Sequence, residues 1–392
     1  MFMEKWILTN FWCSLSGRRK LIVILLIAFF QVNANAQIII GQDDASNYSS
    51  WGNGTNEGYG FGPWDLWNDG GSSGHFIGSS TEYEHGDINS DGQSFGMYGH
   101  SGQFSNAQRA LVYWGEGYTF SIEIAAQWRD GARGISFFNQ NGFDSADEIW
   151  NFNISNDGYG GAGFSYYSDI ILRFEVTQNS NNLEVEVTGS SVNADWTEVW
   201  STNIPGQTLG GFRLYTGGDI DSDGKRNLYF NNLRTESAGL DIFWVNLQWP
   251  PEGTIMPEMD EYFIYSRVEI PGITNQSLEH PQVQAWIGFN DENSDPALWP
   301  SESWFDAGFN LKVSGQNRHE YLFNAADLAL SSGSYYYASR FQLGDSGDFY
   351  YGGIDAGPDE ERGGLWEEDN NISGVLRFGK NSVATGNWND AD

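Results

Sequence analysis

The sequence predicts an all-β protein, two β-sandwich domains following a signal peptide, on three observations. Short runs of alternating or apolar residues recur along the chain, each bounded by turn-forming residues. No stretch carries the 3.6-residue apolar period of an amphipathic helix. Aromatic residues make up 16% of the chain, with 49 glycines against 10 prolines. That composition suits pleated, half-buried strands joined by many turns.

The first element is the leader. Lys5, Arg18, Arg19 and Lys20 stand against one acid, Glu4, and an apolar run over 21–30 leads to Ala34-Asn35-Ala36 before Gln37. A basic region, a short apolar stretch and an A-x-A site predict a signal peptide over 1–36, cleaved after Ala36. The run is too short to cross about 30 Å of hydrocarbon. The expected mature chain is therefore secreted or on the cell surface, in an extracellular or periplasmic setting, with no membrane partner after cleavage. The single cysteine, Cys13, falls within the leader. Disulfides are then excluded from the mature protein, and burial or bound metal must stabilise it. A formal charge of −33 excludes nucleic-acid backbones and anionic membranes as natural partners. It favours cations, neutral ligands or basic surfaces, and it also promotes solubility.

The first predicted unit spans 37–238. Its expected strands are 94–98, 110–113, 119–126, 134–138, 149–154, 170–177, 183–188, 210–215 and 227–233. Segments 170–176 (IILRFEV) and 183–187 (LEVEV) flank Asn179-Ser180-Asn181-Asn182, a hairpin by composition. So many strands in this length suggest a two-sheet sandwich of jelly-roll type. The Gly/Trp-rich opening from Trp51 to Trp67, the central strands and the ending Leu228-Tyr229-Phe230-Asn231-Asn232-Leu233-Arg234 resemble the concanavalin A-like lectin and glucanase sandwiches. The resemblance implies that fold and an activity on carbohydrate.

The second predicted unit, 240–380, opens with Phe243-Trp244-Val245-Asn246-Leu247-Gln248-Trp249-Pro250-Pro251. Strands are expected at 243–248, 262–268, 282–289, 304–313, 319–323, 334–343, 348–352 and 374–378, which fits an immunoglobulin-like sandwich. Tyr335 is the candidate corner tyrosine, its hydroxyl satisfying nearby backbone. Segments 335–343 and 349–353 flank Gly344-Asp345-Ser346-Gly347 as a hairpin. Asn246-Leu247-Gln248-Trp249-Pro250, Val283-Gln284-Ala285-Trp286-Ile287-Gly288 and 335–343 resemble an accessory module of secreted proteins from Bacteroidetes-type bacteria, where it is appended to exported enzymes. A polar tail follows over 381–392.

Two related loops carry the strongest local motif. Asp87-Ile88-Asn89-Ser90-Asp91-Gly92 and Asp219-Ile220-Asp221-Ser222-Asp223-Gly224 share D-I-[ND]-S-D-G. Oxygen ligands at alternate positions before a glycine are how a calcium loop begins. Calcium is thus the cofactor expected, on Asp219, Asp221, Asp223, Asp87, Asn89 and Asp91. Tyr98 and Phe230 occupy position twelve, so EF-hands are excluded. The competing reading is that these residues only form turns.

No catalytic residues are assigned. The E-x-D-x-x-E motif of retaining glucanases is absent. Glu184 and Glu186 share a strand face expected to be solvated, and Glu258, Asp260 and Glu261 sit in a loop. No G-x-S-x-G elbow, phosphate loop or dinucleotide fingerprint occurs. His75, His85 and His100 are too far apart for a local metal motif. Trp51, Tyr59, Trp64 and Trp67, in a Gly-rich stretch, are the expected sugar-stacking residues, against the alternative that they pack over a sandwich edge. Trp299 and Trp304 form a second candidate platform, and Trp196 and Trp200 are expected to be structural.

The function expected is non-catalytic binding of a polysaccharide or glycoconjugate, with calcium-braced loops. The alternatives are a glycoside hydrolase or lyase whose acids come from separate strands, or the accessory or adhesive portion of a larger exported enzyme.

Overall fold

The computed structural model describes residues 37–379 apart from 128–130, 156–157, 256–260, 346 and 357–362. The expected leader and tail lie outside the described residues. The described chain is all-β, its strands broken by short 3-10 turns.

The hairpin over 170–187 shows why these residues make strands. In Ile171–Asn179, Leu172, Phe174 and Val176 are buried while Arg173 is exposed. In Asn182–Ser191, Leu183, Val185 and Val187 are buried while Glu184 is exposed. Period-two alternation puts one face of each strand in the core. Asn179 pairs with Asn182 across a two-residue turn in which Ser180 has φ +52°.

Eight strands form a back sheet. From edge to edge it runs Trp196–Pro205, Asn182–Ser191, Ile171–Asn179, Tyr118–Ala125, Leu228–Ala238, Ser94–Gly99 and Ser73–Gly78, with Gln37–Asp43 also paired to Leu228–Ala238. Six strands form a front sheet in the order Asp65–Asn68, Phe104–Ala110, Leu209–Gly217, Ala132–Asn139, Glu148–Ser155 and Gly158–Tyr159. The sheets pack face to face. Phe120 of the back sheet stacks on Phe212 of the front at 4.9 Å, and Phe174 meets Phe152 at 5.0 Å. All four rings are fully buried, each contributing about 1.5–3 kcal/mol.

Two departures from the expected strands have clear causes. The strand near 110 is Phe104–Ala110, not 110–113. Its buried positions are Ser105, Ala107 and Arg109, so no apolar period marks it. Arg109 is turned inward onto the buried Asp43 carboxylate, under Phe61 and Trp64. Trp196–Pro205 was not expected as a strand because, as an edge strand, it is exposed or half-exposed throughout.

The remaining strands form two further sheets. The smaller runs Trp244–Trp249, Phe263–Glu269, His319–Asn324 and Gly308–Lys312. The larger contains Glu252–Ile255, Gly374–Phe378, Gly333–Leu343, Val283–Asn290 and Trp304–Asp306, with Phe349–Asp355 beside Gly333–Leu343. The strand expected over 304–313 is two: Trp304–Asp306 pairs in the larger sheet and Gly308–Lys312 in the smaller, so the chain changes sheets at Ala307. Tyr335 donates its hydroxyl hydrogen to the Ser331 carbonyl at 3.0 Å, the backbone partner expected of it. The main apolar core reaches into these sheets, since Val245, Val268, Ile273 and Phe341 belong to the same cluster as Phe120 and Phe212, while Leu247, Ile264, Ile287, Phe289 and Leu376 form a second one.

Candidate functional site: a polar cleft on the front sheet

Side chains on the outer face of the front sheet fall into two rows, set by strand register. One row is Trp67, Asn106, Tyr215, Gly134 and Asn153, each paired with the next across neighbouring strands. The other is Asp65, Gln108, Arg213, Ser136 and Asn151. The alternation that turns Phe212 and Leu214 into the core turns Arg213 and Tyr215 out.

Hydrogen bonds tie the rows together. Gln108 donates its amide to Asp65 at 2.7 Å and accepts from Arg213 Nε at 2.7 Å. Arg213 Nη2 donates to the Phe143 carbonyl at 2.6 Å, and the guanidinium lies 4.7 Å from the Phe138 ring centroid. Asn151 donates to Ser136 Oγ at 2.8 Å and to the Tyr215 hydroxyl at 3.1 Å, which also accepts from Asn153 at 3.2 Å. Burial raises the Tyr215 pKa, so this phenol is neutral around pH 7.

Of these residues Trp67, Asn106, Ser136, Asn151, Arg213 and Tyr215 line a cleft of about 380 Å³ together with Asp69, Phe104 and Glu148. Asp69 accepts the backbone N–H of Phe104 at 2.9 Å and so fixes the near wall. Trp67 stands at the cleft with 54% of its surface exposed. The cleft thus offers an exposed ring, amides, hydroxyls, two carboxylates and a guanidinium. That set can stack a pyranose ring and exchange hydrogen bonds with its hydroxyls.

Of the four expected stacking residues, only Trp67 lines the cleft. Trp51 and Trp64 are buried, 9% and 1% exposed, and pack against each other and against Phe95 and Phe230. Trp64 donates Nε1–H to Tyr48 at 3.2 Å. Neither offers a face, because the Gly-rich segment folds inward over the sandwich edge. Tyr59 is half-buried, its ring 5.2 Å from that of His280. In the second platform, Trp299 and Trp304 are buried and stacked on each other at 5.5 Å, with Arg340 over Trp304. Trp200 stacks on Trp150 and Trp196 packs on Phe164, structural positions as expected.

The expected calcium ligands are not brought together. Asp219 is buried, and Arg133 Nη2 donates to one of its oxygens at 2.5 Å. Burial pushes its pKa up to about 6 against the opposing pull of Arg133. Asp221 instead pairs with Arg226 at 2.8 Å, and Asp223 accepts the N–H of Lys225 as the cap of a 3-10 turn. In the other loop Asn89 accepts from Ser80 N–H and donates to Asp87, while Asp87 and Asp91 are exposed. Among the described residues no three carboxylate, histidine or cysteine side chains converge as a metal-holding group. Arg133 and Arg226 take up the carboxylates at 219 and 221 in this arrangement, while Asp219 Oδ2 stays buried without a hydrogen-bond partner. Of the acids weighed for catalysis, Glu184 is exposed and Glu186 half-exposed on one strand face, Glu261 is exposed, and 258–260 lie outside the described residues.

No family model matches the chain, and no curated protein sequence matches it. Solved structures give remote likenesses. An alginate lyase from Chlorella virus shares 13% identity over 44% of this chain and 93% of its own, at a TM-score of 0.26. Lectin I from Ulex europaeus, in complex with the methyl glycoside of α-L-fucose, shares 8% identity over 45% of this chain and 98% of its own, at 0.24. The adhesin domain of Epf from Streptococcus pyogenes shares 8% identity over 86% of this chain and 98% of its own, at 0.25. Likenesses this remote say nothing about the cleft, whose chemistry rests on its own residues.

Asn106, Ser136, Glu148, Asn151, Arg213 and Tyr215 were not singled out from sequence. The local signal is the i, i+2 spacing of Asn151 with Asn153 and Arg213 with Tyr215 on the polar side of otherwise apolar strands. It marks an outer face, and only the register shows that these faces adjoin.

Proposed function

We propose that the chain is an extracellular carbohydrate-binding protein that holds a polysaccharide segment across the outer face of the front sheet. The observation that carries this reading is Trp67, a largely exposed indole at the mouth of a cleft lined by fixed amides, hydroxyls and acids. Covering an exposed indole with the flat apolar face of a sugar ring removes apolar surface from water, while the sugar's hydroxyls meet the amides. The leader-like N-terminus supports an extracellular setting. Affinity electrophoresis through gels containing neutral and acidic polysaccharides tests the proposal. Retardation by at least one polymer, abolished in Trp67→Ala, is the expected result, and equal retardation of wild type and Trp67→Ala would sink it.

One observation favours cleavage as a second reading. Asp69 and Glu148 reach the same cleft from separate parts of the chain. Release of new reducing ends from a bound polymer, lost in Glu148→Gln, would put hydrolysis or elimination in place of simple binding.

A further inference from the structure

We propose that the glycan held in this cleft carries a carboxylate, and that Arg213 recognises it. The inference rests on the cleft being a glycan site and names its ligand class.

The chain holds 52 acids against 19 lysines and arginines, so a surface arginine can find a carboxylate almost anywhere. Arg173, Arg234, Arg318 and Arg377 each do. Arg213 does not: both nitrogens with hydrogen bonds give them to neutral acceptors, Gln108 Oε1 and the Phe143 carbonyl. Among the described residues no carboxylate lies within ion-pair distance of it. Glu148, Asp65 and Asp144 act on it only through space. The guanidinium lies over the Phe138 ring, half-buried, with no direct ion pair among the described residues and Nη1 left to a ligand. A guanidinium fixed in this way suits a planar carboxylate, because the ordering cost of the side chain has been met in folding.

The register sets the spacing. Trp67 and Arg213 lie on strands two apart, about 10 Å in the hydrogen-bonding direction. The ring stacked on Trp67 is therefore not the one whose acid meets Arg213, and the ligand spans more than one sugar. Glu148 and Asp69 on the same walls oppose a dense polyanion. One uronate among neutral sugars fits the cleft best.

The test uses glucuronoxylan, hyaluronate, xanthan and polygalacturonate, each native and after carboxyl reduction, with binding measured by titration calorimetry. At least one native polymer is expected to bind about tenfold more tightly than its reduced form. Arg213→Gln should abolish the difference, and Arg213→Lys, keeping charge but not the fork, should retain part of it. Melting temperatures of both variants check that the sheet is intact. Equal binding of native and reduced polymers, or a preference that survives Arg213→Gln, overturns the carboxylate while Trp67-dependent binding still upholds the glycan site. Failure of every polymer to bind removes both.

Discussion

The Tyr215 hydroxyl lies over Gly134 so closely that a Cβ on residue 134 would stand 2.7 Å from its oxygen, and closer still to the Phe152 carbonyl. The missing side chain lets the phenol lie across the centre of the front sheet and accept from both Asn151 and Asn153. Gly134→Ala should therefore cost about 1–3 kcal/mol, the range of an overpacked site, and displace the Tyr215 hydroxyl. Urea denaturation measures the first effect, and the affinity for a bound polysaccharide the second. Unchanged stability and affinity together would show that the two residues are not coupled.

Trp67 and Trp64, three residues apart, should behave oppositely. Trp67→Ala removes an exposed ring, so melting temperature should stay within about 2 °C while glycan affinity falls roughly ten- to a hundredfold. Trp64→Ala empties a buried site under Arg109 and should cost about 3–5 kcal/mol, with affinity of the folded fraction unchanged. Thermal melts beside calorimetric titration separate the two, and similar profiles for both variants would contradict the assignment.

The contrast shows what sequence could and could not supply. The hairpin over 171–191 was readable because its inward positions are Leu, Phe and Val and its turn is Ser-Asn. The strand Phe104–Ala110 was not, since its inward arginine is paired with an aspartate sixty-six residues away. Trp51, Trp64 and Trp67 share one glycine-rich context, and nothing local tells which ring turns inward. The two rows of the cleft join residues of five strands, from Asp65 to Tyr215, and long-range register is what aligns them. The partner of Asp219 was hidden for a related reason: Arg133 lies far away in sequence, whereas Asp221 and Asp223 meet Arg226 and the Lys225 N–H close by.

Chelation should leave stability unchanged. Arg133 and Arg226 already serve Asp219 and Asp221, so melting temperature in excess EGTA should match that in millimolar calcium within about 1 °C. Asp219→Ala, by contrast, removes the buried carboxylate that accepts from Arg133 and should cost about 3–5 kcal/mol near pH 7. A calcium-dependent rise in melting temperature, lost in Asp219→Ala, would restore the metal to that loop.

Stability should also fall as pH drops below neutrality. All five histidines have pKa values lowered chiefly by burial, His85 and His280 to about 4. A histidine neutral in the folded state and titrating at 6.5 when unfolded contributes stability above pH 6.5 that is lost as pH falls toward its folded value. His85 and His280 are each 3% exposed, and each accounts for an order of 3 kcal/mol. Asp219 works in the opposite sense: with its pKa pushed up to about 6 from 3.8, it favours the folded state as pH falls through that interval. One carboxyl does not offset five histidines, so the urea midpoint should decline steadily from pH 7 to pH 5. His280→Gln should flatten that decline, because it removes one of the two largest contributors. A midpoint that holds or rises over this range would mean that the buried imidazoles are solvated or paired.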